Sequence, residues 1–143
     1  MSFALDVSKF VEKAKKNPEK VMRQVSIKLF SAIIKASPVD TGRFRMNWMA
    51  SGGIPASGVT DATDKSGNTA TGNATGFVLK AADWREFTLT NNLPYAEVIE
   101  YGGYRGNGPK TVGGYSKQAP QGVVRINVAR FQQLINEEAN KVK

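Results

Sequence analysis

PEKVMRQVSIKLFSAIIKA, residues 18–36, is the stretch that decides the fold class. Val21, Val25, Leu29 and Ile33 recur at every fourth position, with Met22, Phe30 and Ile34 beside them. That spacing marks one face of an α-helix, and a stripe this wide must be buried against another layer. Asn17-Pro18-Glu19 is a start signal: asparagine at the cap, proline with its preset φ, and an acid near the positive end of the helix. Ser37-Pro38 is the stop, because proline pushes its predecessor out of the helical region. Upstream, Val7, Phe10, Val11 and Ala14 predict another helical face before the Asn17-Pro18 break.

Downstream the period changes. Phe44, Met46, Trp48 and Ala50 alternate with Arg45, Asn47 and Met49, so residues 43–50 predict a strand with one buried face. Trp48 and Trp84 read as core or sheet-edge aromatics. Residues 52–76 are built from Gly, Ala, Ser, Thr, Asn and Asp, with only Ile54 and Val59 as larger apolar residues. A structureless loop of that length is uncommon in a compact domain. Ala70, Ala74, Phe77, Val78 and Ala81 fit a helical face and predict a helix over 69–81, despite poor helix formers between them. Residues 85–91 alternate as a strand. Asn91-Asn92-Leu93-Pro94 is a turn, and 95–101 a short helix closed by Gly102-Gly103. A second glycine-rich loop covers 102–122. Val124, Val128, Phe131 and Ile135 then predict a C-terminal helix from about Pro120 or Gly122 to Lys141.

This order predicts one α+β domain over residues 1–143. A small antiparallel β-sheet is flanked by the long N-terminal helix and a C-terminal helix, with mobile loops at 52–68 and 102–119.

Composition narrows the chemistry. The 143 residues include no cysteine and no histidine, which removes the commonest zinc, iron and copper ligands and the histidine-dependent nucleophiles. Twenty Lys and Arg face 12 Asp and Glu, a net charge of +8. That balance attracts polyanions or an acidic protein partner. Residues 1–36 hold eight of the basic side chains against three acids, so most of the excess falls on the predicted N-terminal helices. No stretch has the roughly 20 apolar residues of a membrane span, and Met1–Asp6 lacks the regions of a signal peptide. A chain made in a cytoplasm, with no membrane partner, is the expectation.

Three local patterns resemble catalytic motifs and read better as structure. Asp40-Thr41-Gly42 is the tripeptide of aspartic proteases, which pair two such aspartates to share a proton. Here it follows a long helix and precedes Arg43, and reads as a turn with aspartate bonded to the main chain and glycine at positive φ. Glu97 and Glu100 share a helix face and could act as acid and base or hold a hard cation. Without a further oxygen ligand nearby they read as a solvated or intersubunit salt-bridge edge. Gly102 to Thr111 has a lysine-threonine pair, but its Gly106-to-Lys110 spacing is too short for a phosphate loop. A loop with tyrosine and arginine anchors suits a protein interface or a nucleic-acid backbone.

Three separated segments carry a resemblance when taken in order. They are Ser37-Pro38-Val39-Asp40-Thr41-Gly42-Arg43-Phe44-Arg45 with Trp48, then Asn91-Asn92-Leu93-Pro94-Tyr95-Ala96 with Ile99-Glu100-Tyr101-Gly102, then Ser116-Lys117-Gln118-Ala119-Pro120-Gln121-Gly122-Val123-Val124-Arg125. Together, over about residues 18–140, they resemble the tail-component family of long-tailed bacteriophages, which includes neck and tail-completion proteins of lambda-like phages. The resemblance implies a non-enzymatic virion protein at the head-tail junction, made in the host cytoplasm. It implies a homo-oligomeric ring, expected to be a hexamer, between a tail tube or tail terminator protein and a head connector or stopper protein. It supplies no catalytic, cofactor or metal residue. The motifs read as structural devices: Asp40-Thr41-Gly42 turns helix into strand, Asn91 to Tyr95 turns strand into helix, and Gln118-Ala119-Pro120 initiates the last helix.

Subunit or ring contacts are expected from Arg43, Arg45, Glu97, Glu100, Tyr101, Tyr104, Arg105 and Tyr115. The basic residues of the N-terminal helix, with Arg43 and Arg45, would face acidic partners or DNA in the lumen. Two alternatives remain on sequence grounds, a non-virion tail assembly chaperone and a stand-alone basic nucleic-acid-binding protein. The second lacks a helix-turn-helix or RNA-recognition signature.

Overall fold

Helix α1 runs Pro18–Ala36 and buries Val21, Met22, Val25, Leu29, Phe30, Ile33 and Ile34, the stripe that its four-residue spacing predicts. Each such side chain contributes about 1.5–3 kcal/mol relative to exposure. The computed structural model describes residues 1–6, 17–104 and 108–130, and within 131–143 Gln133, Asn136, Glu137 and Asn140. Asn17 does sit at the cap, but in the left-handed region and without a side-chain cap bond. Its carbonyl instead accepts from Val21 N at 3.1 Å. The helical face expected from Val7 to Ala14 lies outside the described residues. So do Phe131 and Ile135 of the expected C-terminal helix, whose described part is α5, Val124–Val128.

The remaining elements follow as β1 (Ser2–Asp6), α2 (Arg43–Met46), β2 (Met49–Ser51), α3 (Asn68–Lys80), β3 (Glu86–Thr90), α4 (Ala96–Tyr101), β4 (Thr111–Val112) and β5 (Tyr115–Ser116). The α+β class is as expected. An antiparallel sheet of order β1-β3-β2 forms one layer, and a separate hairpin pairs β4 with β5. In the sheet Ser2 faces Thr90 and Asp6 faces Glu86, while Met49 and Ser51 face Thr90 and Thr88. Strand β1 was not expected. Just ahead of it, the Met1 ammonium donates to Asn91 O at 2.7 Å, and Asn91 N donates back to Met1 O at 2.7 Å.

Residues 43–50 correct the expected strand. The chain makes a short helix first and enters β2 only at Met49. Phe44 and Trp48 stand four apart, a spacing that satisfies period two and the helical period alike. In the helical turn their rings meet edge to face at 5.7 Å, and the Trp48 indole N–H donates to Ser37 Oγ at 2.8 Å. Gly42 enforces the turn. Its φ is +93°, and an added Cβ would stand 2.5 Å from Lys65 N, where the 64–65 backbone crosses over it.

Helix α3 is as expected. It buries Ala70, Ala74 and Val78 and packs on α1. Its poor intrinsic propensity is offset by polar ties at both ends. Asp64 accepts from Gly67 N at 3.1 Å and Ala70 N at 2.9 Å, satisfying amides of the first turn. Lys35 binds Ser66 O and the Asn68 side chain. At the other end Arg23 donates to Val78 O and to Ala81 O. Two cations of α1 are therefore spent inside the chain. Among the described residues no helix is long and apolar enough to cross a membrane.

Candidate functional site

The three motif segments meet around a groove of about 650 Å³. One wall is the backbone from Pro38 to Phe44, another is α4 through Tyr95 and Ile99, and the third is the hairpin region through Tyr104, Lys110, Thr111, Ser116 and Gln118. Phe44 and Ile99 are buried and form an apolar floor. The Tyr95 ring lies 5.9 Å from that of Phe44. Burial pushes the Tyr95 hydroxyl above its ordinary pKa, against the opposing pull of the nearby Arg43 charge.

Side chain to main chain bonds hold the walls together across long sequence distances. The Gln118 amide accepts from Val39 N at 2.8 Å and donates to Val39 O at 2.9 Å, imitating a strand pair 79 residues apart. Asn91 Nδ2 donates to Phe44 O at 2.9 Å, joining the second motif to the first. Gln118 thus acts as a clamp. The last helix begins further on, at Val124.

Glu100 is the strongest tie and corrects the expected solvated edge. Its carboxylate is 1% exposed. Oε1 accepts from Val123 N and Val124 N, each at 2.7 Å, and Oε2 from Arg125 N and Arg125 Nε, each at 2.9 Å. A carboxylate at the N-terminus of α5 satisfies amides that have no helical partner, and charge assistance strengthens each bond. Gly122 permits the approach, since an added Cβ would stand 2.5 Å from Glu100 O. Arg125 also lies over the Tyr101 ring at 4.7 Å and reaches Tyr115 Oη at 3.5 Å. Glu100 therefore joins α4 to α5 within the chain.

The other expected contacts divide. Arg45 is a staple: it donates to Ser37 O at 3.0 Å, Lys65 O at 2.7 Å and Lys35 O at 2.8 Å, so its guanidinium serves the chain's own carbonyls. Arg43 lines the groove, donates to Thr60 O at 3.0 Å and pairs with Asp61 at 3.2 Å. Tyr104 lines the groove too. Glu97 and Tyr101 are exposed on α4, and Tyr115 is half-buried beside Arg125. Arg105 lies outside the described residues. In the Asp40-Thr41-Gly42 turn, Thr41 Oγ1 rather than the aspartate bonds the main chain, accepting from Arg43 N at 3.2 Å.

The two expected mobile loops carry more structure than their composition suggests. In 52–68, Asn47 exchanges bonds with Thr60, Asn92 donates to Ala56 O and Gly58 O, and Asp64 is buried. Within 102–119, β4 and β5 form a hairpin through the Gly113-Gly114 turn. Its tip is tied back by Gly103 N and Tyr104 N, which donate to Gly114 O. Sequence reasoning missed the roles of Gln118 and Arg125. No local pattern marks them, because their partners lie 79 and 25 residues away.

Among the described residues no group of three or more acids could hold a metal ion. No protein-family model matches the chain, and neither a curated protein nor a solved structure is found to be similar to it.

Proposed function

We propose that this chain is a structural protein of the bacteriophage head-tail junction, with an assembly role rather than a catalytic one. It would form a ring, expected to be sixfold, that completes the tail or joins it to the head connector. Its neighbours would be a tail tube or terminator protein on one side and a connector or stopper protein on the other. The supporting observation is the convergence of the three motif segments. Residues as distant as Val39 and Gln118 are bonded into one groove-bearing unit. Motifs that close on one another in space are parts of one device, which favours a family signature over three chance matches. The net charge of +8 also suits acidic ring partners or a lumen that passes DNA.

Gold labelling of intact virions with an antibody to this chain tests the placement. A single cluster where head meets tail is the expected result. Abundant protein in infected-cell extract with no label on virions would overturn it in favour of an assembly chaperone. Salt-sensitive DNA binding by the isolated chain, again with unlabelled virions, would favour a nucleic-acid-binding protein.

A further inference from the structure

Residues 108–130 carry four cations, Lys110, Lys117, Arg125 and Arg130, and no acidic side chain. They contain the β4–β5 hairpin and helix α5. Thr111 and Ser116 of the hairpin line the groove. Strand alternation therefore puts Val112 and Tyr115, the neighbouring cross-strand pair, on the hairpin's other face.

On that face the hairpin meets α4 and α5 through Arg125. Tyr115 Oη lies 3.5 Å from Arg125 Nη2, and the guanidinium stands 4.7 Å over the Tyr101 ring. Val128 follows Arg125 by three residues and so lies beside it on α5. These contacts join Val112, Tyr115, Arg125, Tyr101 and Val128 into one strip. Tyr101, Val112 and Val128 are 59%, 48% and 38% exposed. The other exposed large apolar residues described are dispersed, with Ile54 and Val59 in the 52–68 loop, Leu79 on α3 and Tyr95 in the groove.

The strip is fixed in place before anything binds. Arg125 donates from Nε to the Glu100 carboxylate at 2.9 Å and from Nη2 to the Glu100 carbonyl at 2.6 Å. The Tyr115 ring rests on Gly102, where an added Cβ would stand 3.1 Å from it. Side chains already ordered lose little entropy on contact, and tyrosine and arginine are typical interface anchors. Glu100 balances the charge of Arg125. The rest of the basic surplus sits at the margins: Lys117 N donates to Lys110 O at 2.9 Å at the open end of the hairpin, and Arg130 follows Val128. An aromatic and apolar centre with basic margins is complementary to an apolar protein surface with acidic margins. A nucleic acid would satisfy the cations but gains little from two exposed valines.

We propose that this strip docks an acidic-rimmed apolar surface of another protein, with Tyr101, Tyr115 and Arg125 as anchors and Lys117 and Arg130 at the margin. It deepens the junction reading by naming the face that meets an acidic neighbour, and rests on that reading only for its biological setting. Lys35 and Arg45, by contrast, bind the chain's own carbonyls.

The full-length chain, isotopically labelled for NMR, tests this with three probes: an amphipathic peptide of leucine and glutamate, its leucine–lysine counterpart, and oligothymidylate. Saturable shifts at Tyr101, Val112, Tyr115 and Val128 are expected with the leucine–glutamate peptide, weakening as salt rises, and not with the other two. Tyr101→Ala should weaken that binding about tenfold, and Lys117→Glu about fivefold. Leu79→Ser, at an exposed position on α3, should leave it unchanged. No shifts with the leucine–glutamate peptide, shifts at Phe44 and Ile99 in the groove instead, or an equal response to the leucine–lysine peptide would each overturn the proposal. Oligothymidylate binding at the same residues as tightly as the acidic peptide would overturn it in favour of a nucleic-acid face. Unlabelled virions alongside the expected peptide binding would sink the junction reading alone and leave the docking strip standing.

Discussion

The sheet layer and the groove wall are stabilised by different physics. Helix α1, α3 and β3 meet through apolar surface, with Phe30, Ile33, Val78, Phe87 and Leu89 fully buried. The groove wall uses side chains to satisfy backbone groups, through Gln118 on Val39, Asn91 on Phe44 and Glu100 on residues 123–125. Apolar packing is non-directional, so it sets which layers stack. Hydrogen bonds to a buried carboxylate are directional, so they set where a loop ends and at what angle a helix leaves it. One region makes the body stable; the other gives the groove its shape.

That contrast can be broken by mutation. Phe30→Ala should have the largest effect, about 3–5 kcal/mol, and should loosen both regions together in a urea titration. Glu100→Ala should cost about 3 kcal/mol, because three amides and Arg125 lose their shared acceptor. Its signature is local. Amide exchange should accelerate at Val123, Val124 and Arg125 while α1 and α3 keep their protection. Equal acceleration in α1 would show that the two regions are one cooperative unit.

Asp64 sharpens the comparison from the apolar side, where a polar group ends α3. Burial opposes its ionisation, but donation from Ala70, Ser66, Gly67 and Thr69 prevails and holds the carboxyl below its usual 3.8. As pH falls below that value the unfolded chain takes up the proton first. The Asp64 contribution is therefore complete at neutral pH, declines on acidification, and is lost below the lowered folded value. Asp64→Ala should cost about 1–2 kcal/mol at pH 7, and should flatten the acid limb of stability measured against pH.

The smallest effect has the opposite sign. Gly72 and Gly76 lie in the interior of α3, outside the positive-φ set, with open space where a Cβ would stand. Alanine at either position should stabilise by about 0.5–1 kcal/mol, seen as a higher thermal midpoint. A loss of stability there would mean that α3 is more tightly constrained than its apolar contacts with α1 require.

Legibility followed the range of the interaction. Helices α1 and α3 could be read because Val21 to Ile33 and Ala70 to Val78 repeat with the helix itself. The turn at Asn91 could be read because asparagine and proline act within a few residues. Residues 43–50 misled because Phe44 and Trp48 fit two periods, and the choice between them came from the 64–65 backbone lying against Gly42. Glu100 misled in another way. Its local pattern with Glu97 suits a wet helix face, while its burial depends on residues 123–125 folding over it.

By itself, the sequence determined the α+β class, the long amphipathic helix, the punctuation by Pro38, Gly42 and Pro94, and a chemistry without cysteine or histidine. These follow from periodicity, backbone preference and composition, which act within a few residues. Only the tertiary structure decided that Arg45 and Glu100 bind the chain's own backbone, that Gln118 clamps Val39, and that the motifs enclose one groove. Those outcomes depend on which backbone groups are left unsatisfied once the layers have packed, and that is settled only when distant segments meet.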